Sequence, residues 1–130
     1  MKKILLFLFS FFLMQIIIAQ NTSKQIIEPP IKYEEVDFKP VYPGGFKEFM
    51  QFIANNFQNP EIEDLSGVVK VSFVIEKNGE VDDIIILNDL GHGTGKEAKR
   101  VLLKCPKWSP GKQNGLPVRV LFELPISIKN

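Results

Sequence analysis

The sequence predicts an α+β domain: a three-stranded antiparallel sheet in spatial order 2-1-3, with two helices on one face, in chain order helix-strand-strand-helix-strand. Three observations carry this. Two stretches alternate apolar and polar residues with period two, and two others repeat apolar residues with helical spacing. An Asn-Gly pair separates the first two strand patterns, the signal of a tight hairpin.

The first helix opens after the breaker cluster Tyr42-Pro43-Gly44-Gly45. Phe46, Phe49, Met50, Ile53 and Phe57 fall at i, i+3, i+4, i+7 and i+11, one face of a helix, while Phe52 lies off that stripe. Asn55, Asn56, Asn59 and Pro60 end it. The first strand starts at Gly67, and its alternation buries one face through Val69, Val71, Phe73 and Ile75. Asn78-Gly79 predicts a two-residue turn with positive φ at both positions. The second strand, Val81–Leu87, becomes apolar on both faces from Ile84 onward.

Thr94 and Glu97 have the spacing of a capping box, in which each side chain satisfies a free backbone N–H at a helix start. Ala98, Val101, Leu102 and Cys105 then form the stripe of the second helix, which Pro106 stops. Lys107–Pro117 reads as a loop whose Trp108 closes one end of the core. The last strand is Val118–Leu124, with Val118, Val120, Phe122 and Leu124 inward; Pro125 and a short tail, Ile126–Asn130, come after it. A helical crossover carries this strand to the far side of the first strand. It is left as an exposed edge unless the tail or a partner covers it.

Ahead of this domain, residues 42–130, the chain divides in two. Residues 1–20 combine a basic Met1-Lys2-Lys3 start with an apolar run from Ile4 to Ile18, the length of a signal-peptide core; they read as a signal peptide or a retained N-terminal anchor. Either places the remainder of the chain outside the cytoplasm. Residues 21–41 are polar, with Glu28-Pro29-Pro30 and Lys39-Pro40, and read as an extended linker.

Composition narrows the function. Of 16 basic residues, Lys2 and Lys3 belong to the leader, which leaves one base fewer than the 15 acids. That balance gives no support for nucleic acid as a partner. Cys105 is the single cysteine, so no internal disulfide forms; its place on a helical stripe makes it a core residue.

No catalytic, cofactor or metal site is expected. His92 is the only histidine, in a glycine-rich turn, without a second ligand or a nucleophile beside it. Gly91–Lys96 lacks phosphate-loop spacing, with Glu97 where Ser or Thr belongs. Asp82 and Asp83 are strand neighbours on opposite faces and form no catalytic pair. They read as solvated charges that keep a strand edge from pairing.

Taken in order, several segments resemble the C-terminal domain of TonB: Tyr42-Pro43-Gly44-Gly45, the strand Gly67–Ile75 with its Asn78-Gly79 turn, Glu97–Val101, the loop from Pro106-Lys107-Trp108 through Asn114-Gly115, and Val118–Ile126. The resemblance covers residues 42–126 and is nearest to the form found in Bacteroidetes-type envelopes. It implies energy transduction across a Gram-negative envelope, in which the domain grips the TonB box of an outer-membrane receptor in the periplasm. The box adds as a strand to the sheet edge. On this chain that edge is Val118, Arg119, Val120, Leu121, Phe122, Glu123 and Leu124, with Arg119, Leu121 and Glu123 outward. No cofactor is implied. An ExbB–ExbD motor is a partner only if the N-terminal segment is retained. A homodimer through strand exchange uses the same edge.

The resemblance leaves two readings. One is a TonB-type transport component. The other is a free-standing periplasmic interaction module with the same fold and no direct energy transduction. The linker favours the second, since 21 residues span at most roughly 70–75 Å.

Overall fold

The computed structural model describes residues 27–130. The leader and the first residues of the linker lie outside the described residues. The elements are β1 (Ile31–Lys32), α1 (Phe46–Asn56), β2 (Ser66–Ile75), β3 (Val81–Asn88), α2 (Thr94–Leu102), β4 (Gly111–Gln113), β5 (Leu116–Val118) and β6 (Val120–Lys129).

The α+β class holds, with both helices packed on one face of the sheet. Val69, Val71, Phe73 and Ile75 of β2 face that side with Phe122, Leu124, Ile126 and Ile128 of β6. Phe49 and Ile53 of α1 and Ala98, Val101 and Leu102 of α2 close over them. Phe49 is fully buried, its ring 4.8 Å from Trp108 and 5.3 Å from Tyr42. Trp108 does close one end of the core. Among the described residues its indole N–H finds no nitrogen or oxygen partner. Phe46, the first helical residue, is exposed despite its place on the stripe, and off-stripe Phe52 packs against the core beside Tyr42.

The sheet corrects the expected three strands. Its order is β1-β6-β2-β3, so the expected order of the three long strands is present and a fourth strand lies outside β6. That strand is parallel to β6, with Ile31 opposite Val120 and Lys32 opposite Leu121, and it makes the sheet mixed. It comes from the segment read as linker. Residues 31–41 are part of the domain: Tyr33 meets Phe122 edge-on at 4.7 Å, Val36 is buried, and Phe38 and Val41 bridge to Lys112 and Ser109. The polar composition hid three apolar anchors in this segment, Ile31, Tyr33 and Val36.

Five local expectations also change. The last strand runs from Val120 to Lys129, not Val118 to Leu124, because Pro125 does not stop it. A proline without an N–H is harmless where that N–H would point away from the ladder. Its register with β2 is unbroken from Ser66 opposite Lys129 to Ile75 opposite Val120. Ser72 and Val74 are buried on the second face of β2, where Val74 has Leu121 beside it.

Turns differ too. Gly79 alone has positive φ in the first hairpin; its N–H donates to the Glu76 carbonyl, and Glu76 N–H donates to the Glu80 carbonyl. The loop is therefore three residues, a β-turn followed by a left-handed glycine. The two-residue turn belongs to Asn114-Gly115, φ 51° and 76°, which joins β4 to β5 within the expected loop. The capping box does not form. Gly93 precedes α2, and the Asp89 carboxylate accepts from Gly95 N–H at 3.2 Å, Gly91 N–H at 2.8 Å and Thr94 Oγ1 at 2.7 Å. Helix α2 ends at Leu102; Cys105 follows in i→i+3 turns, because Pro106 disfavours a helical residue before it.

Candidate functional site

The residues proposed to bind a partner separate into four groups. Val120, Phe122 and Leu124 point into the core and are buried. Leu121 is half-buried and Glu123 is exposed on the opposite face, where Glu123 pairs with Lys70 at 3.3 Å. Val118 lies in β5, opposite Gly111, and is not part of the long strand.

Arg119 sits between β5 and β6 with its side chain only 11% exposed. Its Nε and Nη2 donate to the two oxygens of Glu76 at 2.9 and 3.0 Å. Nη2 also meets Asp83 at 2.7 Å, and Nη1 donates to the Glu28 carbonyl at 2.7 Å. These acids raise the already high basicity of the guanidinium, Glu76 most. Arg119 thus ties the hairpin base to the segment before β1 and is spent within the molecule. Lys77 reinforces this tie through Glu28 at 2.9 Å. A hollow of about 750 Å³ lies here, but Glu28, Glu76, Lys77, Asp83 and Arg119 around it are already paired.

The backbone decides which part of β6 is open. Ile31 N–H donates to the Arg119 carbonyl and Tyr33 N–H to the Leu121 carbonyl, both at 2.9 Å. Odd-numbered residues therefore direct their backbone groups outward. Beyond Tyr33 the chain turns away, with Glu35 and Val36 N–H both on the Lys32 carbonyl. Among the described residues no strand continues along β6 past Leu121 on this side. The open edge is thus Glu123, Pro125, Ser127 and Lys129, further along than the expected Val118–Leu124. Pro125 interrupts its row of donors, a recognised way to blunt an exposed edge.

A groove of about 360 Å³ runs beside the open edge, between α1 and β6. Met50, Ile53, Ala54 and Phe57 line one side, and Ile126 with its neighbours Pro125 and Ser127 the other. Among the described residues no charged side chain lines it. Sequence reading missed it because it joins residues some 70 positions apart. Asn59, three residues past the end of α1 at Asn56, marks one end.

The opposite edge of the sheet is protected differently. Strand β3 carries two irregularities against β2, with Asp83 at φ 47° in one of them. Asp82 and Asp83 do not form a paired site: Asp82 Oδ1 accepts Asp83 N–H, while Asp83 pairs with Arg119. His92 is exposed in a turn where Gly91, His92 and Gly93 all have positive φ. Cys105 is mostly buried, and burial pushes its thiol up to about 12. Among the described residues no group of three or more His, Cys, Asp or Glu is placed to hold a metal, and no helix is long and apolar enough to cross a membrane.

No curated protein matches the chain. The model of the family described as Gram-negative bacterial TonB protein C-terminal matches residues 61–128, just over half of the chain. The matched region runs from the turn before β2 almost to the end of β6, and so contains the open edge; β1 and α1 lie before it. The chain belongs to the TonB C-terminal family.

Proposed function

We propose that the protein acts in the periplasm as a TonB-like component of energy-coupled transport, binding the TonB box of outer-membrane receptors by strand addition to β6. The observation that carries this is the outer edge of β6 from Glu123 to Lys129, unpaired among the described residues. Unpaired N–H and C=O groups in a row recruit an extended chain, and main-chain bonds supply most of the affinity. The role is one of binding; no catalytic step is assigned to any residue.

Titration with a synthetic peptide spanning a receptor's TonB box tests this. The amide signals of Glu123 and Ser127 shift on binding, and Ser127→Pro abolishes it while circular dichroism is unchanged. Proline is placed at an odd position because the N–H groups of Val120 and Phe122 face β2. Shifts confined to Val81–Asn88 would refute the assignment.

A second reading, a free-standing interaction module, is favoured by one observation. Residues 31–41 lie on the domain, so they add no reach to the linker. If the leader is a retained anchor, an ExbB–ExbD motor is an added partner and force can be transmitted. If the leader is cleaved, the domain grips without pulling. The mass of the protein isolated from the envelope separates the two. Strand exchange into a homodimer at this edge would appear as a concentration-dependent sedimentation coefficient.

A further inference from the structure

We propose that the groove between α1 and β6 reads one side chain of the docked strand, selecting an extended segment with an aliphatic residue facing Ile126 and a basic residue about four positions later, on the same face. This rests on strand addition at β6 and adds a specificity determinant to it. Five residues of the groove lining, Met50, Ile53, Ala54, Phe57 and Asn59, lie before the part of the chain that matches the family.

The chain's own β1 shows how a strand sits on this edge. It runs parallel to β6, and the next residue, Tyr33, turns its ring to the helix-facing side against Phe122. A segment continuing that line past Tyr33 meets Glu123, Pro125 and Ser127. Side chains directly opposite across a sheet share a face, so its residue opposite Ile126 points to the helix side. There it meets the apolar groove, where Ala54 is exposed and Met50 and Phe57 are half-covered. Displacing β1 is the costlier route, because Tyr33, Val36 and the Glu28–Arg119 bond hold that segment down.

Both backbone and charge define the rest of the occupant. Pro125 removes one ladder donor from any added strand, so the interior of the segment depends more on its groove contact. The far end of the edge adjoins a turn in which Glu61 and Glu63 are exposed. Lys129, the neighbouring cation, lies on the opposite face of β6 by strand alternation. A basic residue on the partner complements the two acids.

The test uses four threonine octapeptides: one with leucine at a central position and lysine four residues later, one with glycine replacing the leucine, one with glutamate replacing the lysine, and threonine alone. Binding to the full chain is followed by amide shifts. The leucine peptide binds about tenfold more tightly than its glycine counterpart, as burying one aliphatic side chain implies. The lysine peptide exceeds the glutamate one about threefold at low salt. Ala54→Trp fills the groove from an exposed helix position and removes the leucine preference, while Ile85→Thr on the far strand leaves it intact. Pro125→Val restores the missing donor and tightens all four peptides.

Equal binding of the leucine and glycine peptides, with Glu123 and Ser127 still shifting, overturns the groove proposal and leaves strand addition standing. Shifts at Arg119 and Leu121 with loss of the Ile31 bond overturn it in favour of β1 displacement. If neither these peptides nor a TonB-box peptide shifts β6, both proposals fall.

Discussion

Removing Arg119 separates a structural role from a partner-contact role, because the side chain is almost fully engaged inside the molecule. Arg119→Ala leaves Glu76, 22% exposed, without its two charge-assisted bonds, and frees the Glu28 carbonyl. A hydrogen bond to a charged group is worth about 1.5–3 kcal/mol net in a protected site. The Asp83 arm adds little, since Asp83 is 58% exposed and solvent screens it. The expected loss is about 2–3 kcal/mol, or roughly 10 °C or more in Tm for a domain of this size. Urea unfolding followed by fluorescence of Trp108, the single tryptophan and 5% exposed, measures it. A double-mutant cycle with Glu76→Ala isolates the pair, with an expected coupling of about 1–2 kcal/mol. Arg119→Lys keeps the charge and loses the fork, so it recovers less than half of the stability. An Arg119→Ala protein within about 0.5 kcal/mol of wild type, or a coupling near zero, would refute the assignment.

Other consequences are as direct. A Cβ at Gly79 would lie 1.9 Å from the Trp108 carbonyl oxygen at a φ of 86°, whereas one at Gly91, φ 77°, meets nothing within 4 Å. Gly79→Ala therefore costs at least about 3 kcal/mol and Gly91→Ala about 1 kcal/mol, and equal losses in urea unfolding would contradict this. Asp89→Ala destabilises by about 1 kcal/mol at neutral pH, as loss of a helix cap does. The Thr94 hydroxyl, then the Gly91 N–H, holds the Asp89 carboxyl below the usual range. Its stabilisation is thus complete above the ordinary aspartate pKa near 4 and lost as pH falls through the lowered value, so the variant and wild type converge in acid. A gap that stayed constant with pH would sink this account. Cys105, with its thiol pushed up to about 12, reacts with iodoacetamide at pH 8 far more slowly in the native protein than in urea; equal rates would show it to be exposed.

The long elements were legible because their apolar spacing is itself the cause of their burial. Phe49 and Ile53, or Ala98, Val101 and Leu102, are core in the structure for the reason that they form a stripe in the sequence. The turns were harder. Two Asn-Gly pairs look alike locally, yet only Asn114-Gly115 takes the two-residue form. At Gly79 the backbone docks on Trp108, whose N–H donates to the Gly79 carbonyl, a contact 29 positions away in the chain. Asp89 captures the start of α2 from outside the usual cap position and leaves Glu97 to pair with Arg100 and accept Gln58 N–H.

The candidate site was legible as to strand and misplaced along it. Pro125 read as a stop, because the sequence does not say which way a missing N–H would point. Ile31 and Tyr33 read as linker, because two or three apolar residues in a polar run reveal nothing until β6 is there to receive them. Both errors moved the expected edge toward Val118, where β1 and the Arg119 tie now occupy it. The groove depends on the mutual placement of α1 and β6, which no local pattern encodes.

A photo-crosslinking residue placed at Ser127 in envelope-bearing cells tests the central claim most directly, with the same probe at Ile85 as the comparison. Both positions are exposed, Ser127 on the open edge strand β6 and Ile85 on the opposite edge strand β3. Strand addition predicts crosslinks from Ser127 to the TonB-box segment of outer-membrane receptors and none from Ile85. Receptor crosslinks from Ile85 alone, or none from Ser127, would contradict it.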